Sequence, residues 1–255
     1  MLIDKLVLLK KVKLQRIADY WKLISALIKF EIIHHNRLIE LPVNIDGLWF
    51  FLVDLESLLI VSPRYEAWLW NYLRPMKGDI FIDIGAHIGK YTLKVAKMVG
   101  EGGLVIAIEP VPHTFKALLK GIKLNKINNV IAFNIAAWNE EKVIPIYVVS
   151  EGTYNSQTGM LGFGQSSVKR KVGEKVEVQT RSIDRIVEEL KLPRVNWIKC
   201  DVEGAEYEVL EGARNTIERF RPQLIVECVV NVKNCKKLLG ELGYSYHKSS
   251  QLLLL

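Results

Sequence analysis

The stretch Phe81-Ile82-Asp83-Ile84-Gly85-Ala86-His87-Ile88-Gly89 decides the fold of this chain. A short apolar run leads into a glycine-containing turn and then into an amphipathic stretch, which is the pattern of a buried strand followed by a helix. The stretch Ile198-Lys199-Cys200-Asp201-Val202-Glu203-Gly204-Ala205-Glu206 repeats this arrangement. Cofactors of the nucleotide type bind where the carboxyl ends of parallel strands meet. The two loops therefore predict a cofactor site and a reaction centre at one shared edge of a sheet.

Strand and helix patterns alternate from residue 80 onward. The predicted strands are 80–84, 104–108, 130–135, 195–200 and 223–229, and the predicted helices are 89–98, 112–125, 182–190, 204–219 and 231–242. Two strand-like pieces, 143–149 and 175–181, lie in a more polar stretch, and 244–255 could supply a final strand. This alternation predicts an α/β fold with a doubly wound sheet and right-handed crossovers.

The first 74 residues differ from the rest and are predicted to form a helical segment with a β-hairpin extension, ahead of a main domain at 75–255. Residues 1–40 have the pattern of a basic amphipathic helix, which either lies on a membrane surface or packs on the main domain or a second subunit. Residues 41–62 look β-like, with a hairpin turn at Asp46-Gly47. Residues 63–73 have a helical pattern.

Composition sets broad limits on the function. A hydrophobic fraction of 49% supplies a core, and a net charge of +7 suits nucleic acid, anionic lipid or a phosphorylated substrate without choosing among them. The 3 cysteines are too few for a disulfide framework and have no metal-ligand spacing, so a cytoplasmic setting is expected. Peripheral membrane contact through residues 1–40 is the alternative.

Three residues in and after the first loop point to a ligand. Gly85 allows a tight turn at the strand end, and Gly89 lets the next helix approach closely. Glu109 ends the second strand, where an acidic side chain can accept hydrogen bonds from both hydroxyls of a ribose. A plain strand-to-helix turn, with Glu109 as a helix cap, is the alternative interpretation.

These motifs together resemble the class I S-adenosylmethionine-dependent methyltransferases and, more narrowly, the FkbM family. The resemblance covers roughly residues 63–230. Its most specific part is the second loop quoted above with Val209-Leu210-Glu211-Gly212-Ala213, supported by Gly78 to Gly89, Glu109-Pro110 and Asn134 to Ala136. One departure is His87, because the family usually has Asn at that place.

The resemblance implies a Rossmann-like, mostly parallel, seven-stranded sheet and S-adenosylmethionine as the cofactor. Asp83 would orient the glycine loop and reach the methionine ammonium, directly or through water, and Glu109 would hold the ribose. The residues implied to form the cofactor site are Asp83, Gly85, Ala86, His87, Gly89, Glu109, Pro110, Asn134, Ala136 and Asp201.

The candidate catalytic residues are Asp201, Glu203 and Glu227. A hydroxyl nucleophile needs a base or a metal, and a carboxylate in a partly desolvated pocket is a plausible base. Carboxylates placed close together either raise one another's pKa or bind a divalent cation. Glu203 and Glu206 could instead occupy the first turn of a helix, and Lys199 could pair with these acids.

Three functions compete at this point. The resemblance favours O-methylation of a hydroxyl on a sugar, a glycan or another small molecule. The charge of +7 motivates an RNA methyltransferase, although the chain has no recognisable RNA-binding module and nucleic acid is the less favoured partner. The His87 departure motivates a non-catalytic scaffold. The glycine- and serine-rich stretch 147–175, with Lys169-Arg170-Lys171, predicts a substrate-selecting lid. The sequence leaves open whether the protein forms a homo-oligomer.

Overall fold

The computed structural model of the protein describes residues 41–53, 55–148, 153–155, 160–162, 166–167, 174–228, 230–245, 247–249 and 252–254. The helix predicted within 1–40, with its membrane or subunit contact, lies outside the described residues. Most of the predicted lid, including Lys169-Arg170-Lys171, lies outside them as well.

Strands and helices alternate through most of the described chain. The strands are β1 (Leu41–Ile45), β2 (Leu48–Leu52), β3 (Ile80–Ile84), β4 (Leu104–Ile108), β5 (Val130–Phe133), β6 (Ala136–Ala137), β7 (Val143–Val148), β8 (Thr153–Asn155), β9 (Met160–Gly162), β10 (Ser166–Ser167), β11 (Glu174–Arg181), β12 (Trp197–Cys200), β13 (Gln223–Glu227), β14 (His247–Ser249) and β15 (Leu252–Leu254). The α-helices are α1 (Leu55–Ile60), α2 (Lys90–Val99), α3 (Pro112–Leu124), α4 (Ile183–Glu189), α5 (Glu206–Glu211), α6 (Arg214–Phe220) and α7 (Val232–Glu241), and a 3-10 helix spans Ala67–Asn71.

The main sheet has the strand order β14-β15-β13-β12-β3-β4-β5. The five strands from β13 to β5 are parallel, and β15 and β14 extend one edge in antiparallel pairing. This confirms the predicted mostly parallel, Rossmann-like sheet of the class I methyltransferases. The chain moves outward from β3 to β5 and then returns to β12 on the other side of β3. The order of the strands therefore reverses between β3 and β12, and such a reversal opens a crevice at the carboxyl ends of the strands.

The strand β3 is apolar at every position but one because both of its faces are covered. Ile80, Ile82 and Ile84 belong to one core, and Phe81 belongs to the core on the other face. Strands buried on both faces show continuous apolar runs rather than alternation. Only Asp83 interrupts the run, and it is 1% exposed, so its position requires a specific role.

The predicted hairpin is confirmed, with β1 and β2 joined through Asp46 and Gly47 at φ values of 50° and 80°. Phe50 and Leu52 pack into a core shared with the helices α2 and α3. Residues 55–60, which lie within the β-like prediction for 41–62, form the helix α1 instead. Leu58 is buried one turn after the helix start, and this packing outweighs the local strand propensity.

The smaller four-stranded sheet has the order β10-β7-β11-β6. The strand-like patterns at 143–149 and 175–181 correspond to β7 and β11, which pair antiparallel. The described parts of the lid predicted at 147–175 are the short strands β8, β9 and β10 and, at its two ends, residues 147–148 of β7 and 174–175 of β11. Within the described ranges, no helix is long and apolar enough to cross a membrane.

The helix predicted at 204–219 is wrong as a single element, because it is divided into α5 and α6 at Gly212 and Ala213. A Cβ at Gly212 would lie 2.1 Å from the carbonyl oxygen of Trp138, so the chain passes very close to another backbone there. The carboxylate of Asp184 then accepts hydrogen bonds from the amides of Asn215 and Thr216 and gives α6 its own start. The final strand predicted within 244–255 is two short strands, β14 and β15.

Candidate functional site

A pocket of about 1210 Å³, counting its open mouth, lies at the carboxyl ends of β3, β4, β12 and β13. It is the place that the reversal of strand order predicts. Residues of both loops quoted at the outset line it. The lining residues used below are Tyr65, Glu66, Gly85, Ala86, His87, Lys90, Tyr91, Glu109, Pro110, Val111, Ala136, Trp138, Lys199, Asp201, Glu203 and Glu227.

The glycine loop needs glycine for two separate reasons. Gly85 has a φ of 79°, and a Cβ there would lie 1.8 Å from the carbonyl oxygen of Asp201. The ends of β3 and β12 therefore touch only because this residue has no side chain. Gly89 has a φ of 95°, and a Cβ there would lie 2.7 Å from Leu118. The two glycines bring the helix α2 and the second loop close to the pocket.

Glu109 is the best-organised carboxylate of the site. It is 5% exposed, and its two oxygens accept hydrogen bonds from the backbone amides of His87 and Val111, both at 2.9 Å. Burial raises the pKa of Glu109 to about 7, although these two hydrogen bonds oppose the rise. Each oxygen keeps a lone pair, so the carboxylate can still accept a pair of hydroxyl donors from the pocket.

Asn134 and Pro110 support the loop that carries Glu109. The side-chain amide of Asn134 donates hydrogen bonds to the carbonyl oxygens of Glu109 and Pro110, at 2.8 and 2.9 Å. Pro110 and Ala136 line the pocket directly. Asn134 therefore fixes the position of a loop, and Ala136 supplies apolar wall.

Asp83 lies beneath the glycine loop and has one oxygen satisfied. Its Oδ2 accepts a hydrogen bond from the hydroxyl of Thr92 at 2.6 Å, and its Oδ1 is buried with no hydrogen-bond donor among the described residues. Burial raises its pKa, and the nearby ammonium of Lys199 opposes this. A buried acceptor without a donor suits an ammonium group or a bridging water.

The second loop holds Asp201 at the end of β12. Lys199 donates a hydrogen bond to Asp201 at 3.0 Å, as predicted, and lies opposite Asp83 in the pairing of β12 with β3. Burial lowers the pKa of Lys199, but Asp201 and Asp83 outweigh it and the net shift is upward. Lys199 therefore stays charged. Loss of the negative charge of Asp201 or Asp83 would leave its buried ammonium group less well compensated.

The remaining acids of this loop have different roles. Glu203 lines the pocket with a left-handed φ of 53°. Glu206 is fully buried at the start of α5, where its side chain accepts a hydrogen bond from the amide of Gly204 at 2.7 Å. Glu206 thus has the helix-start role, whereas Glu203 faces the pocket.

Glu227 ends β13 and brings a titrating carboxylate to the pocket. Burial raises its pKa to about 7, and the charges of Asp201 and Glu66 add to this rise. A carboxylate with such a pKa can exchange protons near neutral pH. Among the residues that the structure describes, no group of three or more His, Cys, Asp or Glu side chains is arranged to hold a metal ion.

Sequence reasoning missed four residues on one side of the pocket: Tyr65, Glu66, Lys90 and Tyr91. Lys90 donates hydrogen bonds to the carbonyl oxygen of Tyr65 at 2.6 Å and to the carboxylate of Glu66 at 3.4 Å. Tyr91 donates to the same carboxylate at 2.6 Å. Lys90 follows Gly89 in the first turn of α2, which was a usable signal. Tyr65 and Glu66 had none, because only the tertiary fold brings them here.

The His87 departure has a backbone explanation. His87 has a φ of 52°, in the left-handed region that Asn, Asp and His adopt more readily than other residues. Its backbone amide donates a hydrogen bond to the carboxylate of Glu109, and this bond can form whether the side chain is that of His or of Asn. The substitution of Asn by His therefore does not disrupt the loop.

Comparison with known proteins gives one family. The model of the FkbM methyltransferase domain matches residues 83–246. A protein named Methyltransferase 1 from Beauveria bassiana is 30% identical over 54% of this chain and 60% of its own length. The hexuronic acid methyltransferase AglP of Haloferax volcanii is 26% identical over 64% of this chain and 62% of its own length. The chain thus spans about three fifths of the curated relatives it matches.

Among solved structures, the FkbM methyltransferase from Methylobacillus flagellatus resembles this chain at 17% identity. The match covers 72% of this chain and 45% of that protein, with a TM-score of 0.48.

Proposed function

Since the chain belongs to the FkbM methyltransferase family, we propose that it is an S-adenosylmethionine-dependent methyltransferase that methylates a hydroxyl group of a sugar or another small molecule. The observation that carries the proposal is the doubly anchored carboxylate of Glu109 at the edge of the glycine loop. It offers two oxygens, fixed by backbone amides, to the vicinal hydroxyls of a ribose.

The other residues of the pocket fit the remaining parts of this cofactor. The buried Oδ1 of Asp83 suits the methionine ammonium, directly or through water. Gly85 and Ala86 line the pocket at the end of β3, where their backbone would face the cofactor. Val111, Ala136 and Trp138 supply apolar wall suited to an adenine ring. When bound, S-adenosylmethionine supplies a methyl group on a positively charged sulfur, which an in-line oxygen nucleophile can take.

The chain's own residues then have two tasks, to position the acceptor hydroxyl and to remove its proton. Glu227 is proposed as the general base, because its pKa of about 7 lets it hold a proton at the end of the transfer and release it to water near neutral pH. Asp201 and Glu203 line the same end of the pocket and complete its negative wall. Lys199 keeps Asp201 in place.

The name of the Haloferax volcanii relative describes that protein alone; it supports a sugar as the acceptor but names an acidic one, so it does not support a neutral sugar. A cytoplasmic location remains a proposal, as does the division into an N-terminal extension at 1–74 and a main domain at 75–255. A bound divalent cation remains the alternative to a carboxylate base.

The direct test is calorimetric titration of S-adenosylmethionine into wild type, Glu109→Gln and the exposed control Glu140→Gln. We expect the dissociation constant of Glu109→Gln to rise about 100-fold, since weaker hydrogen bonds to two hydroxyls cost about 3 kcal/mol. Glu140→Gln should bind as wild type does, because Glu140 has a side chain that is 62% exposed. Equal affinity in all three proteins would remove Glu109 from the cofactor site.

A further inference from the structure

One side of the pocket combines two residues that precede the matched domain at 83–246 with two residues from the start of α2. We call it the acceptor wall, and it consists of Tyr65, Glu66, Lys90 and Tyr91. The carboxylate of Glu66 accepts from both the ammonium of Lys90 and the hydroxyl of Tyr91. The ammonium of Lys90 also lies 4.5 Å from the centre of the Tyr65 ring. These contacts join the four residues into one connected group.

The acceptor wall is continuous with the residues proposed for catalysis. The ammonium of Lys199 lies 4.8 Å from the centre of the Tyr91 ring and donates a hydrogen bond to Asp201. Glu66 and Glu227 line the same pocket, and the charge of Glu66 adds to the raised pKa of Glu227. A molecule held on the acceptor wall therefore lies beside Asp201 and Glu227.

Glu66 holds its position at a conformational cost. Its φ and ψ are 53° and 31°, which is the left-handed region, and its side chain does not cap the 3-10 helix that follows. A non-glycine residue in this region is strained, and such strain collects at ligand sites. The strained backbone turns the carboxylate toward Lys90 and Tyr91, where it lines the pocket.

The charges of the pocket disfavour an anionic acceptor. Among the described residues that line it, the carboxylates are those of Glu66, Glu109, Asp201, Glu203 and Glu227, and the ammonium groups are those of Lys90 and Lys199. Each of these ammonium groups already has a carboxylate within 3.4 Å. An incoming carboxylate or phosphate would thus meet an excess of negative charge, which a neutral polyol would not.

We propose that the acceptor wall is the subsite for the methyl acceptor and that it binds a neutral, polyhydroxylated ring, meaning a sugar without a carboxylate or phosphate near the reacting hydroxyl. This inference rests on the proposed function. The ring of Tyr65, which is 44% exposed, offers a flat face to the apolar C–H face of the sugar. The carboxylate of Glu66 accepts from one sugar hydroxyl, and the ammonium of Lys90 donates to another oxygen.

The test measures binding of two matched probes, methyl β-glucopyranoside and methyl β-glucopyranosiduronate, by saturation-transfer NMR in the presence of S-adenosylhomocysteine. The proteins are wild type, Tyr65→Ala, Glu66→Gln and the exposed control Glu101→Gln. Tyr65→Ala removes a partly exposed ring and keeps the carbonyl oxygen that Lys90 uses, so it guards against a folding failure of Glu66→Gln. Methyl transfer from S-adenosylmethionine to the neutral probe is followed in parallel.

Wild type should bind the neutral probe about tenfold more tightly than the acidic one. Both wall variants should weaken binding of the neutral probe about tenfold and raise KM, and Glu101→Gln should match wild type. Equal binding of the neutral probe by wild type and both wall variants would overturn the subsite, and so would tighter binding of the acidic probe. The proposed function would still stand in either case if the protein binds the cofactor and transfers its methyl group. A protein that binds S-adenosylmethionine but methylates no hydroxyl in a panel of glycosides and other small alcohols would overturn both.

Discussion

Glu227→Gln should lower kcat by about 10² to 10⁴, the range over which a general base accelerates proton removal. The substitution keeps the shape of the side chain and removes its capacity to take a proton. Cofactor affinity should stay within about threefold of wild type, because Glu227 lies at the end of β13, away from the Glu109 loop. Steady-state kinetics that follow formation of the methylated sugar measure kcat, and calorimetry measures cofactor affinity.

The pH dependence gives the same residue a second test. Since the pKa of Glu227 is raised from 4.5 to about 7, the side chain is protonated and inactive at pH 5. The rate of wild type should therefore rise about tenfold per pH unit below 7 and level off above it. The apparent pKa belongs jointly to Glu227 and the carboxylates that raise it, Asp201, Glu66 and Glu203.

Glu227→Gln should show a low rate without this rise, and the exposed control Glu218→Gln should behave as wild type does. A Glu227→Gln enzyme that keeps its kcat within about threefold of wild type, with the same pH profile, would exclude Glu227 as the base.

Gly85→Ala should lower the free energy of unfolding by about 4 kcal/mol, or the melting temperature by roughly 10 °C. The new Cβ would lie 1.8 Å from the carbonyl oxygen of Asp201, so the ends of β3 and β12 would have to separate. This separation would also displace Asp201 and open the floor of the pocket. Cofactor binding should therefore be lost even at temperatures at which the variant is folded.

Gly47→Ala is a matched control for this substitution. Gly47 has a φ of 80°, close to the 79° of Gly85, but nothing lies within 4 Å of a Cβ placed there. Gly47→Ala should therefore lower the free energy of unfolding by only about 1 kcal/mol, the cost of placing alanine in the left-handed region. Comparing the melting temperatures of the two variants separates the effect of the close contact on stability from the effect of the backbone conformation. Equal melting temperatures for the two variants would contradict the close approach of β3 and β12.

The parts of the fold that are encoded locally could be predicted from the sequence. The strands β3 and β4 were predicted to the residue, because each is a continuous apolar run that ends at an acidic or glycine position. Gly85 and Glu109 directly follow these two strands, and Asp201 directly follows β12. The structure brings them to one pocket because parallel strands present their carboxyl ends at one edge.

The parts that depend on distant contacts could not be predicted. The helix break at Gly212 depends on the backbone of Trp138, more than seventy positions away in the chain. The pocket position of Glu66 depends on a strained left-handed backbone and on two partners in α2. Neither feature leaves a periodic pattern in the sequence. Local patterns therefore predict a continuous helix through Gly212 and no role for Glu66.

The competing functions are affected differently by these findings. A scaffold without turnover was motivated by His87, whose left-handed backbone now accounts for the residue without loss of the site. An RNA methyltransferase was motivated by the net charge of +7, yet five carboxylates line the pocket. A phosphate backbone would therefore gain nothing from the pocket walls, and salt-sensitive RNA binding would have to come from another surface.

The most direct measurement is methyl transfer itself, with S-adenosylmethionine carrying a ¹³C-labelled methyl group and methyl glycosides of neutral sugars as acceptors. Mass spectrometry and NMR should show the label on a sugar oxygen, with one S-adenosylhomocysteine formed for each methyl ether. Bound cofactor without any labelled ether across the panel, from a folded protein, would contradict the assignment of this pocket to hydroxyl methylation.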